Sequence, residues 1–347
     1  ASKIDAYDSA ATSTFAGGLS LTGTGTGLNI GTLTKIYQNN QPFLTSSTTA
    51  AGNLAIGYQA ADKLDASGGL YSTYIGYQAG NTATSSSYST AVGYQALKNV
   101  VGAGATLGNY NSAMGYQALL NNTTGYTNTA LGMNSLYFTT TGYENTAVGY
   151  ASLYSNVDGY SNAASGYQAL NDNTSGYRNT ATGFQALFNN TTGYENIALG
   201  YRAGMFANVI TANETSNTSL YLGANTKALA DGDTNEMVIG YNVTGLGSNT
   251  VVLGNNSITT TALRGSVGVS TTTPGAKLSV NQGSATTIGQ YIAGYANATS
   301  DLFRISTSTL TATSTAFVID AQGRVGIGTT TPTNQLGVQG SVLASKI

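Results

Sequence analysis

Residues 142–158 read GYENTAVGYASLYSNVD, residues 159–175 read GYSNAASGYQALNDNTS, and residues 176–192 read GYRNTATGFQALFNNTT. Laid above one another, these lines put Gly over Gly, Tyr over Tyr, Asn over Asn and Leu over Leu. The register extends outward in both directions. Gly-aromatic or Gly-apolar pairs recur at Gly115-Tyr116, Gly132-Met133, Gly149-Tyr150, Gly166-Tyr167, Gly183-Phe184 and Gly200-Tyr201, each step being 17 residues. A second set, Gly125-Tyr126, Gly142-Tyr143, Gly159-Tyr160, Gly176-Tyr177 and Gly193-Tyr194, keeps the same 17-residue step. Looser copies lie upstream at Gly57-Tyr58, Gly76-Tyr77 and Gly93-Tyr94, and downstream at Gly223, Gly240-Tyr241 and Gly254, with steps between 14 and 23 residues. The longer steps carry inserts, residues 98–108 and 206–219, which are expected in loops leaving the array.

A period this short excludes helix-pair repeats, whose units run to about 33 residues or more. Thr, Val, Tyr and Gly suit strands and turns better than helices. The reading is therefore all-β: a β-solenoid, that is, a parallel β-roll with one 17-residue coil per repeat. Stacking turns each repeat position into a column. Asn128, Asn145, Asn162, Asn179 and Asn196 form one, in which each amide is expected to bond the amide above and below. Ala130, Ala147, Ala164, Ala181 and Ala198 form a column of small side chains. Leu119, Leu136, Leu153, Leu170 and Leu187 form the one consistently large aliphatic column. One Leu, one Ala and a variable Val/Leu/Thr per coil make a thin core. At about 25 cal/mol per Å² of buried apolar surface, such a core barely offsets the entropy of ordering the coil. The column Tyr126, Tyr143, Tyr160, Tyr177 and Tyr194 is then needed as packing surface, and leftover apolar columns are expected to bury themselves against copies of the chain, as a parallel homotrimer.

Composition narrows the chemistry. Only 7% of the residues are charged, and the chain has neither His nor Cys, against about 25% charged residues in an ordinary soluble domain. Zinc fingers, haem ligation, thiol nucleophiles and Ser-His-Asp triads are excluded. Twelve basic residues against fourteen acidic ones give a net charge of −2, so no basic patch is expected to neutralise a nucleic-acid backbone. No apolar run is long enough for a spanning helix, so membrane insertion is not expected.

The phrases NTAVGY (145–150), NIALGY (196–201), MVIGY (237–241) and VVLGN (251–255) resemble strands of trimeric autotransporter adhesin heads. Runs of the NTAVGYQAL kind are also similar to those of phage tail-fibre and related surface-fibre proteins. The resemblance spans roughly residues 50–340. It implies left-handed parallel β-rolls built from three chains, located outside the cell or on a virion. The adhesin repeat is shorter than the coil here, which is a departure in coil shape.

Three regions follow: residues 1–49, a β-rich N-terminal stalk or connector; residues 50–262, the solenoid array; and residues 263–347, a C-terminal β-stalk. The last contains two copies of one module, GSVGVSTTTPGAKLSV (265–280) and GRVGIGTTTPTNQLGV (323–338), each read as strand, turn, strand. Between them, residues 301–322 alternate apolar and polar side chains like two strands. The tetrapeptide ASKI stands at residues 1–4 and again at 344–347, which is consistent with one period of a continuous or head-to-tail polymer, or with a stalk motif used twice.

Carboxylates are the only candidates for acid/base chemistry. Glu144 and Glu195 share a repeat position three coils apart, roughly 14 Å by strand spacing, beyond either separation used for glycoside hydrolysis. Arg178 sits one coil from Glu195 and is expected to pair with it on the surface. Asp231, Asp233 and Glu236 form the one acidic cluster, a weak candidate for Ca²⁺, which takes oxygen ligands; a solvated loop is the simpler reading. No catalytic residue and no cofactor is assigned. The function expected is a structural subunit of an extracellular fibre, with a glycan- or receptor-binding module using Tyr rows or insert loops as the alternative. An ice-binding solenoid or a polysaccharide depolymerase comes third.

Overall fold

The computed structural model describes residues 35–38, 41–45, 52–63, 71–84, 86–101, 108–208, 210–259, 261–262, 267–269, 278–280, 303–309 and 312–338. Both ASKI tetrapeptides and the segment 12–30 lie outside the described residues, as do 102–107 of the first insert. The chain divides into two compact units, residues 1–259 and 260–347. Every described element is a strand.

In the first unit the strands are β1 (Lys35–Gln38), β2 (Gln41–Thr45), β3 (Leu54–Ile56), β4 (Thr73–Ile75), β5 (Thr90–Val92), β6 (Ser112–Met114), β7 (Thr129–Leu131), β8 (Thr146–Val148), β9 (Ala163–Ser165), β10 (Thr180–Thr182), β11 (Ile197–Leu199), β12 (Phe206–Ala207), β13 (Thr211–Ala212), β14 (Leu220–Leu222), β15 (Met237–Ile239) and β16 (Val251–Leu253). One sheet runs β1 to β11 and then β14 to β16. The hairpin β1–β2 joins antiparallel to β3, and every later pair is parallel and in register, as in Ala130↔Ala147 and Ala147↔Ala164. This is the expected β-solenoid, of eleven coils about 17 residues apart. Spacing irregularities leave the register intact. The insert at 206–219 leaves the array less than expected: Ile210 in the small pair β12–β13 is exposed, but Ala207 is buried and bridges to Ala228 of the next coil, and the carbonyls of Glu214 and Ser216 accept from Thr191 and Asn196 of the preceding one. Residues 98–101 do not leave the array as expected: Leu97 and Asn99 donate their N–H groups to Ala118 and Leu120 of the next coil, and Val100 is buried.

Each strand is only three residues long because its neighbours force a turn. In Thr146-Ala147-Val148 the middle residue points inward and the outer two point out. The glycine that follows has φ near +130° along the column, a region essentially confined to Gly. A Cβ on Gly115 would lie 2.5 Å from the carbonyl oxygen of Gly132, so the coils approach closely only where both residues lack a side chain. The corner then uses left-handed non-glycine residues, Gln117 (φ 54°) and Leu119 (φ 51°) being typical. Each such residue costs about 1–2 kcal/mol. In return, the flipped peptides bond in both directions: Gln117 donates to the carbonyl of Tyr94 in one neighbouring coil and Leu119 to that of Ser135 in the other.

The core is thinner in aliphatic carbon than the sequence count implied. The variable Val/Leu/Thr position faces outward, as Leu131, Thr182 and Leu199 show. In its place a second small column, Ala118, Ser135, Ser152, Ala169, Ala186 and Ala203, is fully buried beside the Leu column. Two coils swap volumes. At Tyr74 and Tyr221 the inward strand position carries a buried ring instead of Ala, and the facing Leu position is Gly80 or Gly204. A Cβ on Gly80 would overlap the ring of Tyr74, and one on Gly204 would fall 2.6 Å from that of Tyr221. Because Leu occupies the same left-handed conformation in the neighbouring coils, space and not φ demands glycine here.

In the second unit β17 (Val267–Val269) pairs in parallel with β18 (Leu278–Val280), and β21 (Val325–Ile327) with β22 (Leu336–Val338). In both TTTP modules the two strands pair in parallel, and the first module's connection, 270–277, lies outside the described residues. Residues 303–309 and 312–319 form the antiparallel pair β19–β20, and β20 also pairs with β21. The turn between β20 and β21 is closed by Asp320, whose carboxylate accepts from Arg324 Nε at 2.7 Å and from the Arg324 backbone N–H at 2.8 Å. Burial alone would raise its pKa, but these bonds hold it below its ordinary value.

The volume swap makes a direct prediction. Tyr74→Ala alone should lose about 3–5 kcal/mol, as for an aromatic removed from a core, and Gly80→Leu alone should fail to pack. The double variant should recover most of the loss, measured as the urea unfolding midpoint.

Candidate functional site

Four kinds of column carry the polar and aromatic chemistry of the solenoid. The first is the predicted Asn column. Asn128, Asn145, Asn162, Asn179 and Asn196 are buried. Asn162 Nδ2 donates to Asn145 Oδ1 at 3.1 Å and to the Gly176 carbonyl at 2.8 Å, and the backbone N–H of Asn162 donates to the same Asn145 Oδ1 at 3.0 Å. The ladder runs further than the asparagines. Ser72, Ser89 and Asn111 continue it toward β3, where the Ser72 N–H bonds Asn53 Oδ1 at 2.7 Å. Ser219 and Glu236 continue it the other way. What the position requires is an oxygen acceptor for the N–H of the next coil, which Ser supplies as well as Asn.

Two further ladders were not read from the sequence. Asn156, Asn173 and Asn190 form a buried second column, with Asn173 Nδ2 2.8 Å from Asn156 Oδ1 and Asn190 Nδ2 2.8 Å from Asn173 Oδ1. Room for both ladders comes from the second glycine set: a Cβ on Gly142 would lie 2.5 Å from the Gly159 carbonyl and 2.8 Å from Asn156 Nδ2. Asn122 and Asn190, each followed by two threonines in the Asn-x-Thr pattern of a glycosylation acceptor, fall in this buried column, whereas Asn242 of Asn242-Val243-Thr244 is exposed. A third ladder links Gln59, Gln78, Gln95 and Gln117 at 2.7–2.8 Å, and Gln168, Gln185 and Arg202 at 2.9–3.0 Å. The repeated NN and Q of the motif were the available signals. They were hidden because Thr139, Asn134 and Ala151 interrupt the columns.

The aromatic columns stack on themselves. Tyr126, Tyr143, Tyr160, Tyr177 and Tyr194 lie with ring centroids 4.9–5.0 Å apart and planes within 6°. Tyr58, Tyr77, Tyr94 and Tyr116 form another row, and Tyr150, Tyr167, Phe184 and Tyr201 resume it beyond Met133. Each pair contributes about 0.5–1.5 kcal/mol. The ring faces are occupied by neighbouring rings, and what the rows present to solvent is edges and hydroxyls. The first threonine of each pair is likewise engaged: Thr123 Oγ1 donates to the Thr140 carbonyl at 2.9 Å and Thr191 Oγ1 to that of Glu214 at 3.2 Å.

The carboxylates serve separate local roles. Arg178 Nη1 meets Glu195 Oε1 at 3.0 Å, both side chains being largely exposed, and Glu144 accepts from Ser161 Oγ at 2.9 Å. Asp231 is exposed and accepts from the N–H groups of Glu214 and Thr215. Asp233 Oδ1 accepts from Ser248 and its Oδ2 from the Ala230 N–H. Glu236 is wholly buried. Among the described residues no group of three or more His, Cys, Asp or Glu is placed to hold a metal ion. Glu236 Oε1 accepts from the Gly247 N–H at 2.8 Å, while Oε2 is buried with no hydrogen-bond partner. Burial raises its pKa, the Gly247 N–H opposes this, and the charge of Asp233 adds to the rise.

No protein-family model, no curated protein and no solved structure matches this chain.

The buried Glu236 makes stability depend on pH. Its folded-state pKa lies above its unfolded one, so folding takes up a proton between the two. Its contribution is fullest below its ordinary value of 4.5 and is lost as pH rises through the raised value. Glu236→Gln should remove that slope and stabilise the fold at neutral pH. The check is the difference between variant and parent unfolding free energies across the pH range above 4.5.

Proposed function

We propose that the chain is a structural subunit of an extracellular fibre or surface appendage, of the adhesin or tail-fibre kind. Three parallel copies pack side by side, and end-to-end association continues the fibre. The observation that carries this reading is the outer face of the sheet. A column of Ile56, Ile75, Val92, Met114, Leu131 and Val148 runs up that face, two residues before the aromatic row that begins with Tyr58, Tyr77, Tyr94 and Tyr116. Ser165 and Thr182 interrupt it, and it resumes at Leu199, Leu222, Ile239 and Leu253. Towards β16 a second outward column turns apolar as well, with Ile197 50% exposed and Val251 59% exposed. Two apolar stretches of this length on one outward column are uncommon on a monomer and support an association surface. Burying it against copies of the chain supplies the apolar area that one thin coil lacks.

The rival readings have less support. Sugar recognition by the Tyr rows needs free ring faces, and within a row these are taken by neighbouring rings. An ice-binding face needs an unbroken array of outward hydroxyls, and the outward strand column that carries Thr73, Thr90, Ser112, Thr129 and Thr146 turns to Ala163, Ile197, Leu220, Met237 and Val251 further along. The fibre reading requires no cofactor, assigns no catalytic residue and names no receptor.

Sedimentation equilibrium at micromolar concentration should give a mass three times that of the 35.3 kDa chain. Leu199→Asp with Leu222→Asp should yield monomers with an unchanged far-ultraviolet circular dichroism spectrum. A parent chain that stays monomeric at these concentrations would contradict the trimer.

A further inference from the structure

Three interruptions fall together in the middle of the array. The Gln ladder breaks at Asn134 and Ala151, so that Gln117 and Gln168 end its two halves. The aromatic row breaks at Met133, so Tyr150 stacks on Tyr167 at 5.0 Å and has no ring on its other face. The short stack of Tyr137 and Tyr154, 5.2 Å apart, ends where Asn171 takes the next place. Between them opens a cavity of about 170 Å³ lined by Asn134, Tyr150, Ala151, Tyr154, Gln168 and Asn171.

The polar groups of this cavity are those of a ladder with one rung missing. Elsewhere each Gln donates its Nε2 to the amide of the coil before it and accepts, through Oε1, from the amide of the coil after it. Gln78 does both, at 2.7 and 2.8 Å. At Ala151 neither bond can form. Asn134 Oδ1 is left buried and without a hydrogen-bond partner, a state that costs about 1–3 kcal/mol for a polar group shut away from water. Gln168 accepts from Gln185 at 2.9 Å, and the rung its Nε2 would reach is absent. The vacant rung asks for one N–H aimed at Asn134 and one carbonyl oxygen aimed at Gln168. Asn171 Nδ2 is already committed to the Ala151 carbonyl at 2.9 Å and helps hold the floor of the site.

We propose that this gap binds the acetamido group of an N-acetylated amino sugar. The amide of the ligand takes the place of the missing rung: its N–H donates to Asn134 Oδ1 and its carbonyl accepts from Gln168 Nε2. The methyl group lies against the two tyrosines, each of which ends a stack of rings, with Met133 beyond Tyr150 and Asn171 beyond Tyr154. No Asp, Glu, Lys or Arg lines the cavity, which suits a neutral ligand. A hexose without the acetamido group offers hydroxyls at other positions and leaves the buried Asn134 oxygen unpaired. This inference does not rest on the fibre reading, and a monomeric chain would carry the same site.

The test is saturation-transfer NMR on the full chain with N-acetylglucosamine, acetamide and glucose as separate probes. Saturation should reach the acetamido methyl group of the first two probes. Glucose should bind about tenfold more weakly or worse, the loss expected when two amide groups stay unpaired. Ala151→Gln supplies the missing rung, adopts a backbone conformation that Gln117 and Gln168 already adopt, and should abolish transfer while leaving the unfolding midpoint unchanged or raised. Asn134→Ala keeps the cavity open but deletes the acceptor, and should weaken N-acetylglucosamine to the level of glucose. Equal transfer to N-acetylglucosamine and glucose, undiminished binding in Ala151→Gln, or no transfer to N-acetylglucosamine would each overturn the assignment.

Discussion

Stacking one coil on the next at about 4.8 Å makes each side chain its own nearest neighbour. Few polar groups tolerate that. A carboxylate or an ammonium repels its copy, whereas a carboxamide is self-complementary, donating on one side and accepting on the other. The buried asparagines exploit this, each satisfying the N–H of the next coil, the amide of the next coil and a glycine carbonyl. The scarcity of charge follows from the same rule, since only 7% of the residues carry one. Where charges do occupy a column they alternate or turn outward, as at Arg178 and Glu195. The one carboxyl that enters the buried ladder, Glu236, stands at its last described rung, where the coil also shortens.

The period of the sequence was enough to specify the solenoid, its parallel register and the identity of the Leu, Ala and first Asn columns. Periodicity reports which residues stack, and stacking is most of what this fold is. It reports less well which way a column faces. The outward Val/Leu/Thr position and the inward Ala/Ser position are both small or apolar. Only the three-residue strand, with Ala147 in and Val148 out, separates them. The second Asn ladder and the Gln ladder were present in the motif but masked by their interruptions. The Ser72–Ser89 stretch of the first ladder was masked by a change of residue type that keeps the oxygen. The exchange of Tyr74 with Gly80 was legible only in three dimensions, because neither residue alone signals that the other fills its space.

The same economy shapes function. A repeated surface presents the same groups many times, which suits lateral association along a stripe better than recognition of one small molecule. Binding chemistry is then to be sought where repetition fails. The coil containing Ala151 departs from its neighbours in three columns at once, and the open groups there are those the regular array would have consumed. The two proposals thus divide one array, fibre building falling to its regular positions and ligand recognition to its exceptions.

The central claim is that amide ladders, at least as much as aliphatic packing, hold the coils together. Urea unfolding of Asn162→Ala beside Leu170→Ala tests it most directly. The asparagine variant leaves the Asn179 N–H without a partner, at about 1–3 kcal/mol. It also removes the side-chain bonds of Asn162 to Asn145, Asn179 and the Gly176 carbonyl, which keeps Asn173 Nδ2 as a donor, at about 0.5–1.5 kcal/mol each, while the leucine variant loses about 2–5 kcal/mol of packing. The account predicts that Asn162→Ala destabilises the chain by at least as much as Leu170→Ala. A loss below about 1 kcal/mol for Asn162→Ala, beside the full packing loss for Leu170→Ala, would contradict it.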